Sequence, residues 1–172
     1  SLDNTNWTTS QYNDNNWQQG KAPLGYGKDG LNTTISYGNN SRNKYPTYYF
    51  RQTINLTKAP KADSKVYMNI VVDDGCIIYV NGKEAYRYNM PQGNVNFNTV
   101  SSTYAPGNPD HATISFDASL LKKGSNLIAV EVHNNSITSS DIYWDAQMVA
   151  TIGEGNDNSN YKSVEPSIEM PS

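Results

Sequence analysis

The sequence predicts an all-β protein, built as an antiparallel β-sandwich. Apolar and polar residues alternate over several short stretches, turn residues separate these stretches, and almost no segment has helical periodicity. The clearest stretch is Val71–Pro91. Within it, Asp73–Gly75 interrupts an apolar run, and Asn81-Gly82 is the residue pair that most favours a two-residue hairpin turn. This pattern predicts two strands joined by a tight turn.

Alternation defines the remaining strands. In the first of them, Phe50, Ile54 and Leu56 share one face, whereas Arg51 and Thr53 share the other. A single helical turn is expected at 118–123, with Asp117 as its N-cap and Gly124 after its end. The predicted strands are Tyr48–Leu56, Val66–Val72, Cys76–Val80, Glu84–Arg87, Thr113–Asp117, Asn126–His133 and Ile142–Ile152.

A chain of 172 residues is long enough for one well-packed domain. Residues 1–152 are predicted to form a single sandwich module, whose first 46 residues show little periodicity and are anchored by Trp7 and Trp17. Residues 153–172 lack periodicity and are predicted to be a linker or disordered tail, which favours a further module in the intact protein. The chain has neither an initial methionine nor a signal peptide, so we expect a mature fragment or an excised module.

Composition excludes several classes of function. Charged residues make up 17% of the chain and the net charge is −3, without a basic run, so a nucleic-acid partner is not expected. No apolar stretch reaches the length of a membrane span, so a membrane is not expected either. Abundant Asn, Thr, Ser and Tyr favour neutral polar ligands such as sugars, although a composition bias of the lineage explains them equally well. The single cysteine, Cys76, excludes an internal disulfide and is expected to be buried and inert.

Several polar residues lie on the strand faces opposite the apolar ones. Arg51, Glu131, His133 and Asp145 are expected to share one side of a sheet and to line a shallow groove. Arg51 and His133 are therefore candidate ligand-binding residues.

The end of the hairpin supplies two more candidates, Arg87 and Asn89. Arginine offers a fixed fork of donors, and asparagine both donates and accepts, so the pair suits sugar hydroxyls. The alternative is structural: Arg87 pairs with a nearby carboxylate and Asn89 stabilises the turn.

Asp73 and Asp74 are adjacent carboxylates, but neighbouring residues of a strand point to opposite faces. They are therefore interpreted as turn residues, with the first Asp bonding backbone amides.

A catalytic role is not predicted. His133 lies upstream of Ser139, Ser140 and Asp141, but the nucleophile elbow Gly-x-Ser-x-Gly is absent. His111 and His133 are too few for a zinc site. We expect His133 and Asp141 to fasten a loop or to line a ligand groove. Loop tyrosines, chiefly Tyr37 and Tyr88, are candidates for stacking on the apolar face of a sugar ring; Tyr45 and Tyr104 are others.

Four stretches together carry a resemblance to a known group of proteins. The chain resembles the galactose-binding-like jelly-roll domains of multimodular bacterial extracellular proteins. The matching stretches cover most of residues 7–150 in the same order: WQQGKAPLGYG (17–27), TYYFRQTINL (47–56), VVDDGCIIYVNGKEAYRYNMPQG (71–93) and LLKKGSNLIAVEVHNNSITSSDIYWDAQM (120–148).

The resemblance implies a sandwich of about eight or nine strands in a non-catalytic accessory module. It also implies a secreted or cell-surface location, polysaccharide or oligosaccharide binding and, in many relatives, a structural calcium ion. Relatives place that ion between the N-terminal segment and the last strand, which makes Asp14 and Asp145 the candidate ligands. The leading functional hypothesis is a carbohydrate-binding module that targets an attached enzyme or surface protein to polysaccharide. The alternative is a structural or protein-interaction module of a cell-surface or cellulosome-type scaffold.

Overall fold

The protein is all-β, with two sheets that are almost entirely antiparallel. The computed structural model describes residues 1–104 and 109–149, together with the backbone of Ser167–Met170. The strands are β1 (Gln18–Lys21), β2 (Leu24–Tyr26), β3 (Thr33–Thr34), β4 (Thr47–Leu56), β5 (Lys65–Asp73), β6 (Gly75–Val80), β7 (Lys83–Tyr88), β8 (Asp110–Asp117), β9 (Gly124–His133), β10 (Ile142–Val149) and β11 (Ser167–Met170).

The six-stranded sheet has the order β1-β11-β4-β9-β6-β7, and the five-stranded sheet has the order β3-β2-β10-β5-β8. Among the strands of the described residues, only β2 and β3 pair in parallel. The predicted hairpin is confirmed as β6–β7, and its turn residues Asn81 and Gly82 have φ values of 51° and 86°. Within the described residues, no helix has the length and apolar character needed to cross a membrane.

The main core lies between the two sheets, as in a sandwich. Alternate residues of each long strand point inward, because successive side chains of a strand point to opposite faces. Phe50 of β4 and Val130 of β9 come from one sheet, whereas Ile70 of β5 and Trp144 of β10 come from the other. The alternation predicted from sequence is confirmed for these strands.

A second, smaller core covers the outer face of the six-stranded sheet. It contains Trp7, Tyr49 and Ala129, with Tyr12 and Trp17 packed against it. The ring of Trp7 lies edge-on to that of Tyr49, with centroids 4.9 Å apart. Residues 1–17, which we call the N-terminal segment, therefore act as a third layer over this sheet.

The helical turn is shorter than predicted and is capped differently. A 3₁₀ turn spans Ala118–Leu120, and the side chain of Asp117 does not cap it. The carboxylate of Asp117 instead accepts a hydrogen bond from Lys65 at 2.6 Å, across the β5–β8 pair. Asp117 therefore occupies the predicted N-cap position, but its side chain makes no capping hydrogen bond.

The chain ends of the fold also differ from the sequence-based prediction. Strands β1, β2 and β3 lie in the first 46 residues, where no strand pattern is visible. Strand β10 ends at Val149, and residues 150–152 of the predicted last strand lie outside the described residues. Strand β11 falls within the region predicted to be a linker or tail, where it pairs with β1; the rest of 153–172 lies outside the described residues.

Candidate functional site

A cavity of about 730 Å³ opens beside β7, at the edge of the six-stranded sheet. Three parts of the chain line it: the N-terminal segment, the β6–β7 hairpin and the loop at 93–98. We call it the β7 cleft. Its polar lining includes Asn4, Glu84, Arg87, Asn94, Asn96 and Asn98.

Local hydrogen bonds fix the loop at 93–98. The side-chain oxygen of Asn96 accepts from the backbone N–H of Asn98 at 2.9 Å, which is a typical Asx turn. The backbone N–H of Phe97 donates to the carboxylate of Asp3 at 2.9 Å, so this loop is attached to the N-terminal segment. The two walls of the cleft are therefore held together by a direct contact.

Arg87 lines the cleft with its guanidinium already engaged. Its Nε and Nη2 each donate to the Glu84 carboxylate at 2.9 Å, a two-point pair. Its Nη1 donates to the carbonyl oxygens of Pro91 and Gly93. The hydrogen bond and the charge of Glu84 raise the pKa of Arg87 further. The structural alternative for Arg87 therefore holds, and the residue also shapes the wall of the cleft.

Three asparagine side chains at the cleft are exposed and have no hydrogen-bonding partner among the described residues. They are Asn4, Asn94 and Asn98. Each side-chain amide offers two donors and an acceptor. This grouping of uncommitted amides is the feature that best fits a polar ligand.

Tyr79 also lines the cleft and connects it to the buried Glu131 of β9. Its hydroxyl donates to Oε1 of Glu131 at 2.6 Å. Burial, followed by the charge of Glu131, raises the pKa of Tyr79, so the hydroxyl stays neutral. The other oxygen of Glu131 lies 3.3 Å from Nε2 of His133, close enough for an ion pair but without the alignment of a hydrogen bond.

His133 is a predicted ligand-binding residue, but the structure gives its side chain no exposed surface. Its Nδ1 lies 2.7 Å from the carbonyl oxygen of Thr99 and 3.0 Å from the hydroxyl of Thr47. In the loop after β9, the hydroxyl of Ser140 donates to the carboxylate of Asp141 at 2.6 Å. Ser140 and Asp141 therefore bond to each other, whereas Nδ1 of His133 lies against Thr47 and Thr99.

The face with Arg51, Glu131 and His133 does not form the shallow groove that the sequence predicts. The N-terminal segment covers it, so Arg51 is only 4% exposed. Arg51 pairs with the carboxylate of Asp14 and donates to the carbonyl oxygen of Thr9 at 2.7 Å. Asp145, expected on the same side, belongs to the five-stranded sheet. Strand parity alone does not reveal which sheet a strand joins, so the prediction merged two surfaces.

Asp141 belongs to an ionic cluster formed by the loops after β2 and β9 and by Asp73, the last residue of β5. The ammonium of Lys28 lies 2.6 Å from Asp141 and 3.7 Å from Asp73. Burial, followed by the charges of Asp74 and Asp141, raises the pKa of Asp73 to about 7. Lys28 joins the two loops to the end of β5, which supports the loop-fastening interpretation of Asp141.

Asn89 and Asp74 hold the neighbouring loops. The amide nitrogen of Asn89 donates to the carbonyl oxygens of Asp74 and Thr103, both at 2.9 Å, and its oxygen accepts from Thr103. The carboxylate of Asp74 accepts from the backbone N–H of Asn135 at 2.8 Å. The second Asp of the pair, rather than the first as predicted, therefore bonds a backbone amide. Asn89 stabilises the turn, as the alternative reading proposed.

Tyr37 and Tyr88, the two main candidates for stacking on a sugar, are half-buried and contact other side chains. Tyr37 lies edge-on to Tyr26, with ring centroids 5.2 Å apart, and the ammonium of Lys44 lies 5.4 Å from its ring. The hydroxyl of Tyr88 donates to Asp110 at 3.1 Å. Tyr45 and Tyr104 are the more exposed loop tyrosines, at 48% and 63%.

The candidate calcium ligands lie on different sheets. Asp14 pairs with Arg51 on the outer face of the six-stranded sheet, whereas Asp145 accepts from the backbone N–H of Ala146 at 2.9 Å in the five-stranded sheet. They do not fit one shared ion. Within the part of the chain that the structure describes, no three His, Cys, Asp or Glu residues group as metal ligands. Calcium binding elsewhere stays a prediction.

Sequence reasoning identified Arg87 but missed the asparagines of the cleft. The available signal is the alternation Asn94-Val95-Asn96-Phe97-Asn98 in a loop. Half-buried Val95 and Phe97 alternate with exposed amides, which marks an extended segment with one anchored side. The partner segment at Asn4 is distant in sequence and carries no local signal.

Comparison of the chain with protein-family models, curated proteins and solved structures finds no match in any of the three. The interpretation of the β7 cleft therefore depends on its own residues.

Proposed function

We propose that this protein is a non-catalytic carbohydrate-binding module whose ligand site is the β7 cleft. The observation that carries the proposal is the set of uncommitted amides at Asn4, Asn94 and Asn98 around an open polar cavity. Such amides donate to and accept from neutral hydroxyl groups without a charged partner. A sugar presents many hydroxyls of this kind.

Contacts that hold the walls of the cleft in place support specific ligand binding over nonspecific adsorption. The Glu84–Arg87 pair and the Phe97–Asp3 contact hold its walls before a ligand arrives. A pre-formed site loses less conformational entropy on binding than a flexible one. Tyr79 is the aromatic lining residue among those described, and its partly buried ring is held by Trp7 and Glu131. We therefore expect hydrogen bonds to outweigh stacking, with modest affinity per module that gains from multivalency.

The arrangement of polar residues supports a binding role over catalysis. General acid–base or nucleophilic chemistry needs the acting groups within hydrogen-bond reach of one another and of substrate. Here His133 is buried away from the cleft, and Ser140 and Asp141 bond to each other beside Lys28.

The wider setting follows from the resemblance in sequence. The proposal includes a galactose-binding-like jelly-roll domain that works outside the cell and is attached to an enzyme or surface protein through neighbouring modules. The two-sheet, antiparallel architecture is compatible with this fold family.

The test is binding of soluble plant and host polysaccharides by isothermal titration calorimetry. The matched variants are N94A/N98A, which removes two cleft amides, and N39A/N55A, which removes two exposed amides elsewhere. We expect at least one glycan to bind the wild type and the N39A/N55A variant, and to bind N94A/N98A about thirtyfold more weakly, since each of the two net hydrogen bonds contributes about 1 kcal/mol. A folded protein that binds no glycan in the panel contradicts the proposal and favours the protein-interaction alternative.

A further inference from the structure

We infer that the β7 cleft selects neutral glycans and discriminates against sugars that carry a carboxylate. This inference rests on the proposed function and specifies the class of ligand. It follows from how the charges in the cleft are already committed.

The positive charge in the cleft is not available to an anionic ligand. Arg87 is the only cationic side chain among the described residues that line it. Arginine binds carboxylates best through two parallel N–H groups, and in Arg87 the Nε and Nη2 fork already holds Glu84. Its Nη1 is directed to the carbonyl oxygens of Pro91 and Gly93. A sugar carboxylate would have to displace Glu84 to gain the same geometry.

The remaining charge of the lining is negative. Asp3 and Glu84 contribute two carboxylates against the single guanidinium of Arg87, so the lining carries a net charge of −1 (−1 − 1 + 1). Asp3 uses one oxygen to accept from Phe97, and Glu84 is 41% exposed. The net negative charge of the lining therefore repels an incoming carboxylate. Arg87, the cationic side chain among the described lining residues, is already paired with Glu84 and does not offset this repulsion.

The uncommitted groups suit the opposite class of ligand. Asn4, Asn94 and Asn98 are neutral, exposed and without partners among the described residues. Their amides recognise hydroxyls equally well at any pH and salt concentration, because neither partner is charged. The cleft therefore combines uncharged side-chain amides, which can bind hydroxyls, with a net negative charge.

The experiment compares glycans that differ only in charge. The probes are a β-glucan, a β-galactan and a galactomannan, each in neutral form and after oxidation of C6 hydroxymethyl groups to carboxylates. For any probe that binds, we expect the oxidised form to bind about threefold more weakly at low salt, because the lining carries one net negative charge and exposed charges interact only modestly. The difference should shrink at 1 M NaCl, because salt screens charges beyond a few ångströms.

A carboxylate-to-amide variant distinguishes electrostatic repulsion of the ligand from a change in the shape of the cleft. In D3N the side-chain oxygen that accepts from Phe97 remains while the net charge of the lining falls from −1 to 0, and we expect the ratio of neutral to oxidised affinity to fall towards one. The matched control is D63N, which removes one exposed carboxylate outside the lining and should leave the ratio unchanged.

The outcomes are distinguishable. Equal or tighter binding of an oxidised probe at low salt overturns the charge selection while leaving the carbohydrate-binding function intact. Binding of neither form of any probe overturns the proposed function and this inference with it.

Discussion

Two charged side chains with little exposure each pair with a carboxylate from a distant part of the sequence. Arg51 in β4 meets Asp14 of the N-terminal segment, and Lys28 meets Asp141 from the loop after β9. A buried charge without a partner is costly, so each pair ties a loop or segment to the sandwich. Polar residues that the sequence offers as ligand contacts thus serve to hold the loops.

The Arg51–Asp14 pair gives a direct prediction. In D14N the buried guanidinium of Arg51 loses the carboxylate charge of Asp14, and we expect the free energy of unfolding to fall by about 2 kcal/mol, since Asp14 itself is partly exposed. The measurement is urea denaturation. D63N breaks the exposed Lys61–Asp63 pair and should change stability by less than about 0.5 kcal/mol. Equal effects of the two substitutions would contradict the burial argument.

Asp73 predicts a pH dependence of stability. Burial raises its pKa from 3.8 to about 7 in the folded protein, so the folded state binds this proton more tightly than the unfolded state. Stability contributed by the proton is therefore present below about pH 4 and is lost as the pH rises through about 7. Between pH 5 and pH 8 we expect a loss on the order of 2 kcal/mol from this group.

The matched measurement is denaturation of wild type and D73N at both pH values. D73N removes the titrating carboxyl, so its stability should fall less over this interval, even if its absolute stability is lower because Lys28 has lost a partner. Parallel pH profiles for the two proteins would show that Asp73 does not titrate in this range.

At the level of elements, the N-terminal segment is anchored by Trp7 and Trp17 as the sequence predicts, but the sequence does not show which surface it covers. It covers the outer face of the six-stranded sheet, shields Arg51 and supplies one wall of the β7 cleft. A sheet in a two-layer sandwich commonly leaves its outer face to solvent. Here the third layer converts that face into a second core.

Replacing Trp7 tests this role. Trp7 is 7% exposed and contacts the rings of Tyr49 and Tyr79, so we expect W7A to lower the free energy of unfolding by about 3 kcal/mol. W17A, at a half-buried position of the same segment, should cost about half as much. Denaturant unfolding of the two variants checks this order. A W7A protein as stable as wild type would show that the segment does not stabilise the sheet.

Strands were predictable where one face is buried by a long run of alternating residues. Strands β4 and β5 satisfy this condition. Strands β6 and β9 are buried on both faces over most of their length and are visible as apolar runs, and the Asn81-Gly82 pair marks the hairpin turn. Strands β1, β2 and β3 have four residues or fewer, and each is fixed by a partner strand rather than by its own pattern.

In the whole molecule, the β7 cleft exists only because three separate stretches converge at one sheet edge. Arg87 was identifiable because it ends a clear hairpin, and the structure gives it Glu84 as a partner. Asn4 and Asn94 are more than 80 residues apart, so no local pattern relates them. The strand position of Arg87 can be predicted from sequence, whereas a site assembled from loops needs the fold.

The central claim is that neutral sugars bind at the β7 cleft, and the most direct test is an NMR titration of the ¹⁵N-labelled protein with the tightest-binding neutral glycan. The account predicts saturable shifts of the side-chain amide signals of Asn4, Asn94 and Asn98, with the Asn39 and Asn55 amides unaffected. Saturable shifts confined to the loops around Tyr45 and Tyr104, or no shifts at any glycan concentration, would contradict it.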